Sequence, residues 1–256
     1  MRKVRMVAAW ASRAAIGTAL CTALAAPVGS ARAVVLGEDA PGLGRHAVML
    51  VEQRGFCSAA VVAPDVVLTA AHCVVGHGEI RAFHRDAAGA PAFLAPSGVA
   101  VHPQYDKGAV QGRRRSIDLA LVRLSQPLPS GFAPVPLGAD ARPAAGQIWT
   151  IGGYGLSAEG DPRTGGRFRT AEVPVVEPYG PSAILVWLKG PGEATGRGAC
   201  TGDSGGPIFA PDGSVGAITV WAEGAGKSRC GALTQGVLVG PQRAWIEKTL
   251  AGWGVR

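Results

Sequence analysis

From Ala47 onward, short apolar runs alternate with turn signals, a pattern that builds strands of four to eight residues rather than long helices. Ala60-Val61-Val62 and Val66-Val67-Leu68 flank Ala63-Pro64-Asp65, where proline occupies a turn position that its fixed φ favours, so this stretch reads as a hairpin. Residues 76 to 98 are less patterned and read as surface loops with strands around Ile80 to Phe83 and Ala92 to Leu94. Asp118 to Leu124 reads as a strand buried on both faces, followed by proline-rich coil from Gln126 to Pro143. Further strands are expected at Ala171 to Val176, Ile184 to Leu188, Ser214 to Trp221 and Gly236 to Val239, with a glycine-rich loop at Leu156 to Gly166. Only Pro241 to Leu250 has near-helical spacing, with proline at its start. The fold class is therefore all-β with a C-terminal helix, and no repeat of fixed period appears.

The 38 glycines and 19 prolines fit a turn-rich β protein. The formal charge of +7 points toward an anionic partner until its location is considered. Residues 1 to 33 read as a secretory signal: a basic start at Arg2, Lys3 and Arg5, an alanine-rich apolar run, and an A-x-A site at Ala31-Arg32-Ala33. Against an uncleaved membrane anchor, the apolar run is short and interrupted by Arg13. Of the 25 basic and 18 acidic residues, five basic and no acidic ones lie in this segment. What remains is about +2, which gives no reason to expect nucleic acid. Cys21 leaves with the signal, and four cysteines permit three connectivities; disulfides would place the protein in an oxidising compartment, extracellular or periplasmic. No Cys/His cluster has zinc spacing. Glu79 and Asp86, with Arg81 and Arg85 nearby, are too few for calcium, so no metal and no cofactor are expected.

Chemistry concentrates in Cys200-Thr201-Gly202-Asp203-Ser204-Gly205-Gly206-Pro207. A serine among glycines describes a turn in which the backbone approaches a ligand closely and N–H groups stand ready for a developing oxyanion. A hydroxyl needs a base to take its proton, and the base needs a group to orient it. Thr69-Ala70-Ala71-His72-Cys73 and Asp118-Leu119-Ala120-Leu121-Val122 offer both.

In those three segments, and from about Val34 to its end, the chain resembles the trypsin/chymotrypsin family of serine proteases. The resemblance implies two Greek-key antiparallel β-barrels, about 34–140 and 146–240, with the active site in the cleft between them and a helix at about 241–252. It implies a triad in which Ser204 is nucleophile, His72 base and Asp118 its orienting partner, with the backbone N–H groups of Gly202 and Ser204 as oxyanion hole. It selects disulfides Cys57 to Cys73 and Cys200 to Cys230. It places the primary pocket at Gly198, Ala199, Val220, Trp221, Ala222 and Gly236, none of them charged, so cleavage after uncharged apolar residues is expected. It pairs the freed ammonium of Val34 with Asp203, and the signal-cleavage site after Ala33 falls just ahead of Val34. Partners would be polypeptide substrates and proteinaceous inhibitors, and the chain a monomer without membrane attachment after cleavage.

Two positions depart from the family pattern. Val220 stands where a serine usually hydrogen-bonds the catalytic aspartate, and Leu36 where glycine is usual. The rival functions are a catalytically silent binding module on the same fold and a secreted esterase using the same triad.

Overall fold

The computed structural model describes residues 34–53, 55–76, 78–109, 114–190 and 196–255. The expected signal, residues 1 to 33, lies outside them. Among the described residues, fourteen strands form two seven-stranded sheets whose named strand pairings are all antiparallel.

The first sheet holds β2 (Ala47–Val51), β3 (Phe56–Ala63), β4 (Val66–Thr69), β5 (Arg81–Arg85), β6 (Pro91–Leu94), β7 (Pro96–Val101) and β8 (Ala120–Leu124), in the order β6-β5-β2-β3-β4-β8-β7. The expected hairpin is β3 and β4, and its turn falls at Pro64-Asp65. β8 is buried at every position but Arg123, as its unbroken apolar run required.

The second sheet runs β1 (Glu38–Asp39), β10 (Arg169–Val176), β11 (Leu185–Lys189), β14 (Leu233–Leu238), β13 (Val215–Glu223), β12 (Pro207–Phe209) and β9 (Ile148–Gly153); an added β9–β10 ladder closes it into a barrel. Residues 34 to 39, expected in the first barrel, pair with the second. β1 lies on β10, and fully buried Val34 packs in the second barrel's core with Trp149, Ile151 and Val173. Apolar side chains at the chain's start have their cavity there, and burial outweighs proximity in sequence.

The barrels are not separately packed. One cluster joins Leu68, Leu119 and Leu121 of the first to Phe209, Ile218 and Val237 of the second. α1 is a short turn, Pro41–Gly44. The C-terminal helix α2 (Arg243–Gly252) crosses back to the first barrel: Ile246 joins the same cluster, and Arg123 donates from Nη1 to the Trp253 carbonyl at 2.7 Å. No helix among the described residues is long and apolar enough to cross a membrane.

Ile246 is 0% exposed within that seam. Ile246→Ala, made in an inactive Ser204→Ala background to prevent self-digestion, should lower unfolding free energy by about 2–5 kcal/mol. A urea melt checks this; a loss below about 1 kcal/mol would mean that the helix merely rests on the surface.

Candidate active site

His72 lies in a 3₁₀ turn, Ala71–Cys73, directly after β4, and Asp118 lies two residues before β8. Because β4 and β8 are paired, their ends bring the two together. Asp118 grips His72 at two points: Oδ1 accepts from the backbone N–H at 2.9 Å, and Oδ2 lies 2.7 Å from Nδ1. An ionised carboxylate only accepts, so Nδ1 carries the proton and Nε2 keeps its lone pair for a substrate-side proton. The Cys57–Cys73 disulfide fastens the next residue to β3, and Cys200–Cys230 fastens the serine loop to the segment before β14.

Ser204 comes from the other barrel, and the contacts around it lead to the histidine. The Ser204 carbonyl accepts from Ser58 N on β3 at 2.8 Å, and the Ser58 carbonyl accepts from Thr69 Oγ1 at 2.9 Å. Gly205 has φ +80° and lies so close to Thr69 and Ala70 that a Cβ would collide with them. Ala70 directly precedes the histidine turn, so the serine loop rests on the segment carrying His72. Gly202 has φ +95°, and a Cβ there would collide with the Phe56 ring and sit 3.0 Å from Gly155 Cα. Only glycine fits. Among the described residues, the N–H groups of Gly202 and Ser204 donate to no protein acceptor. Buried ladders leave few such donors, and here two lie in one serine loop.

Asp203 is fully buried. Its oxygens accept from Gly155 N and Cys200 N, each at 2.8 Å. Burial dominates these bonds and raises its pKa from 3.8 to about 7. The start of the chain docks beside this loop: Val35 N donates to Gly198 O at 3.0 Å, and Val34 shares a buried cluster with Ala199.

The primary-pocket residues are only partly gathered. Gly198 and Ala199 are buried, and a Cβ on Gly198 would lie 3.0 Å from Gly231 O and 3.1 Å from Thr234 Oγ1. Val220 and Trp221 line the cleft beside Asp118, and Ala222 faces Thr234 across the β13–β14 ladder. Gly236 falls elsewhere. A register shift between Thr219 and Trp221 sets Gly236 opposite Thr219, and a Cβ there would meet Ile208, Ala217 and Val186 in the barrel core. Thr234 stands beside Gly198 and Ala199 instead: its Oγ1 accepts from Ala199 N at 2.9 Å. Bulge registers leave no mark in the apolar pattern, so sequence reasoning passed over it.

Asp118 has no third donor among the described residues, and its side chain stays 20% exposed. Cys57, His72 and Cys73 lie within metal-chelating reach, but the two sulfurs are bonded to each other, leaving one imidazole.

A family model described as Trypsin matches residues 34–246. The chain belongs to the trypsin family. Similar proteins include a trypsin of Saccharopolyspora erythraea, 32% identical over 212 residues covering 76% of this chain and 88% of that one. Hypodermin-B of Hypoderma lineatum is 27% identical, covering 67% of this chain and 71% of its own. Among solved structures, neuropsin, described as a serine protease expressed in the limbic system of mouse brain, superposes with a TM-score of 0.68 at 25% identity. It covers 85% of this chain and all of its own. Family membership and the His72–Asp118 pair make this trypsin-family chain a serine-type hydrolase.

The Asp203 environment yields a pH dependence in a chain that retains residues ahead of Val34. Between pH 3.8 and about 7 the folded chain keeps a proton that the unfolded chain has released. Stability should therefore fall as pH rises through that window, at about 1.4 kcal/mol per unit, and level off above it. Urea melts from pH 4 to 8 should show this slope, and Asp203→Asn should flatten it; an equal slope in the variant would assign the effect to another group.

Proposed function

We propose that the chain is a secreted endopeptidase that hydrolyses peptide bonds through an acyl-enzyme, with small uncharged side chains at the cleaved position. Ser204 Oγ attacks the carbonyl, His72 Nε2 takes the proton and returns it to the leaving amine, and Asp118 orients His72 and stabilises its cation. The N–H groups of Gly202 and Ser204 receive the oxyanion, each worth roughly 3 kcal/mol in the transition state. The observation carrying this reading is that one serine is flanked by two undonated N–H groups on a loop seated against the His72 segment.

The residue types support the specificity. Position 198 is glycine and so supplies no carboxylate for Lys or Arg, and a side chain there would meet Gly231 and Thr234. Ala222 pairs with Thr234 across the β13–β14 ladder, and neither is charged. Activation by release of Val34 is supported by its burial and by its φ of +45°, a backbone state that a β-branched residue adopts at a cost of about 1–3 kcal/mol. Severing Ala33–Val34 removes that constraint and places an ammonium in the same buried region as Asp203.

An organophosphonate probe should label Ser204, and Ser204→Ala should abolish labelling and lower kcat on the order of 10⁴- to 10⁶-fold. Labelling that persists in the variant would overturn the assignment, and turnover of simple esters without peptides would identify an esterase. In a peptide panel, Ala and Val should outrank Phe, Lys and Arg at the cleaved position, and Thr234→Ala with Ala222→Gly should shift the preference toward larger side chains. N-terminal sequencing of active secreted protein should begin at Val34; any other start defeats the activation proposal.

A further inference from the structure

A cleft of about 600 Å³ runs from His72 and Asp118 along β13, away from the serine loop. One wall is aromatic: Trp187 meets Trp221 edge-on with ring centres 6.3 Å apart and Tyr179 at 5.0 Å. The opposite wall is the segment around Tyr105–Lys107 and Arg114–Ser116. Three charged side chains of that wall and its end carry fixed partners: Asp118 is taken by His72, and Asp106 by Arg114 at 2.7 Å and by Gly108 N at 2.8 Å. Those contacts hold the Asp106 carboxyl below its ordinary range, so it stays ionised and matched. Lys107 and Arg115 also line the cleft, and among the described residues neither has an acidic partner. Among the described residues, the unmatched charge of the cleft is therefore positive.

We infer that Lys107 and Arg115 select polypeptide substrates bearing a carboxylate side chain about two to four residues ahead of the cleaved bond, at ~3.3 Å per extended residue; this rests on the peptidase reading above. A strand of substrate laid along β13 alternates its side chains, so that one set rests on the Trp187–Trp221 wall while the other faces Arg115. A guanidinium offers a carboxylate two parallel donors, and the aromatic wall removes water from one side of the pair, which strengthens it beyond an exposed contact. Glutamate reaches further than aspartate and should be preferred.

The test uses peptide pairs identical except for Glu or Gln at each of those positions, with Ala at the cleaved position and enzyme concentration set by phosphonate titration. At low salt kcat/KM should favour Glu roughly tenfold, and the preference should shrink toward unity at 1 M salt, where screening acts within about 3 Å. In the Lys107→Gln/Arg115→Gln double variant the Glu-to-Gln ratio should fall to about one, and in Arg115→Glu it should invert. Because the ratio is internal to each preparation, partial misfolding does not alter it. Equal cleavage of Glu and Gln peptides by the unmodified enzyme, or a preference that survives in the double variant, overturns the inference while leaving the peptidase reading standing. Phosphonate-reactive protein that cleaves none of the peptides overturns the peptidase reading, and this inference with it.

Discussion

The serine loop and the segment carrying His72 meet at the seam between the barrels. Ser58 N to Ser204 O is a buried hydrogen bond that spans 146 residues of chain, and Thr69 and Gly205 interlock beside it. Such a bond is worth only about 1 kcal/mol net, yet leaving either group unpaired in that interior costs more. Specificity of docking comes from this asymmetry, and strength comes from the shared apolar cluster of Leu68, Leu119, Phe209 and Ile218, at about 1.5–3 kcal/mol for each side chain fully buried. α2 completes the clasp, since it leaves the second barrel and buries Ile246 against the first.

A second constraint opposes stability. Asp203 is a buried carboxylate supported by two neutral N–H donors, with the buried Arg169 guanidinium as an additional electrostatic influence. Arg169 is itself held by Asp39 at 3.2 Å, on the two-residue strand that follows the docked segment at Val34. Charge thus extends from the serine loop through β10 to the segment after Val34, and Gly153 and Gly155 press on Asp203 so closely that a Cβ on either would strike the carboxylate. A group this costly to bury persists where it has a task.

The parts of this arrangement that are local in sequence could be read there. The β3–β4 hairpin, the buried strand β8 and the helix at the end follow from apolar spacing and proline positions. The disulfide pairing agrees with the resemblance. Long-range pairings were less legible. β1 has two residues and β12 three, too few to show alternation, and both are strands only because a neighbour supplies the ladder. Thr234 and Gly236 exchanged places through one bulge in β13, and Arg115 lines a cleft because of how loops fold over it, which charge pattern alone does not specify.

The absence of a hydroxyl at position 220 shows where rigidity in the site originates. Were Asp118 held chiefly from β13, valine there would leave the carboxylate free to rotate. It is held instead by the residue it orients: the His72 backbone N–H fixes Oδ1, which leaves Oδ2 aimed at Nδ1, and the Cys57–Cys73 bond keeps the intervening turn in place. Both oxygens are engaged by one residue, and the remaining lone pairs reach solvent along the cleft. Position 220 is thereby relieved of a polar duty, and Val220 lines the same cleft wall as Trp221. In this chain the solvent-facing side of Asp118 and the apolar wall of the cleft are two consequences of a single side-chain choice.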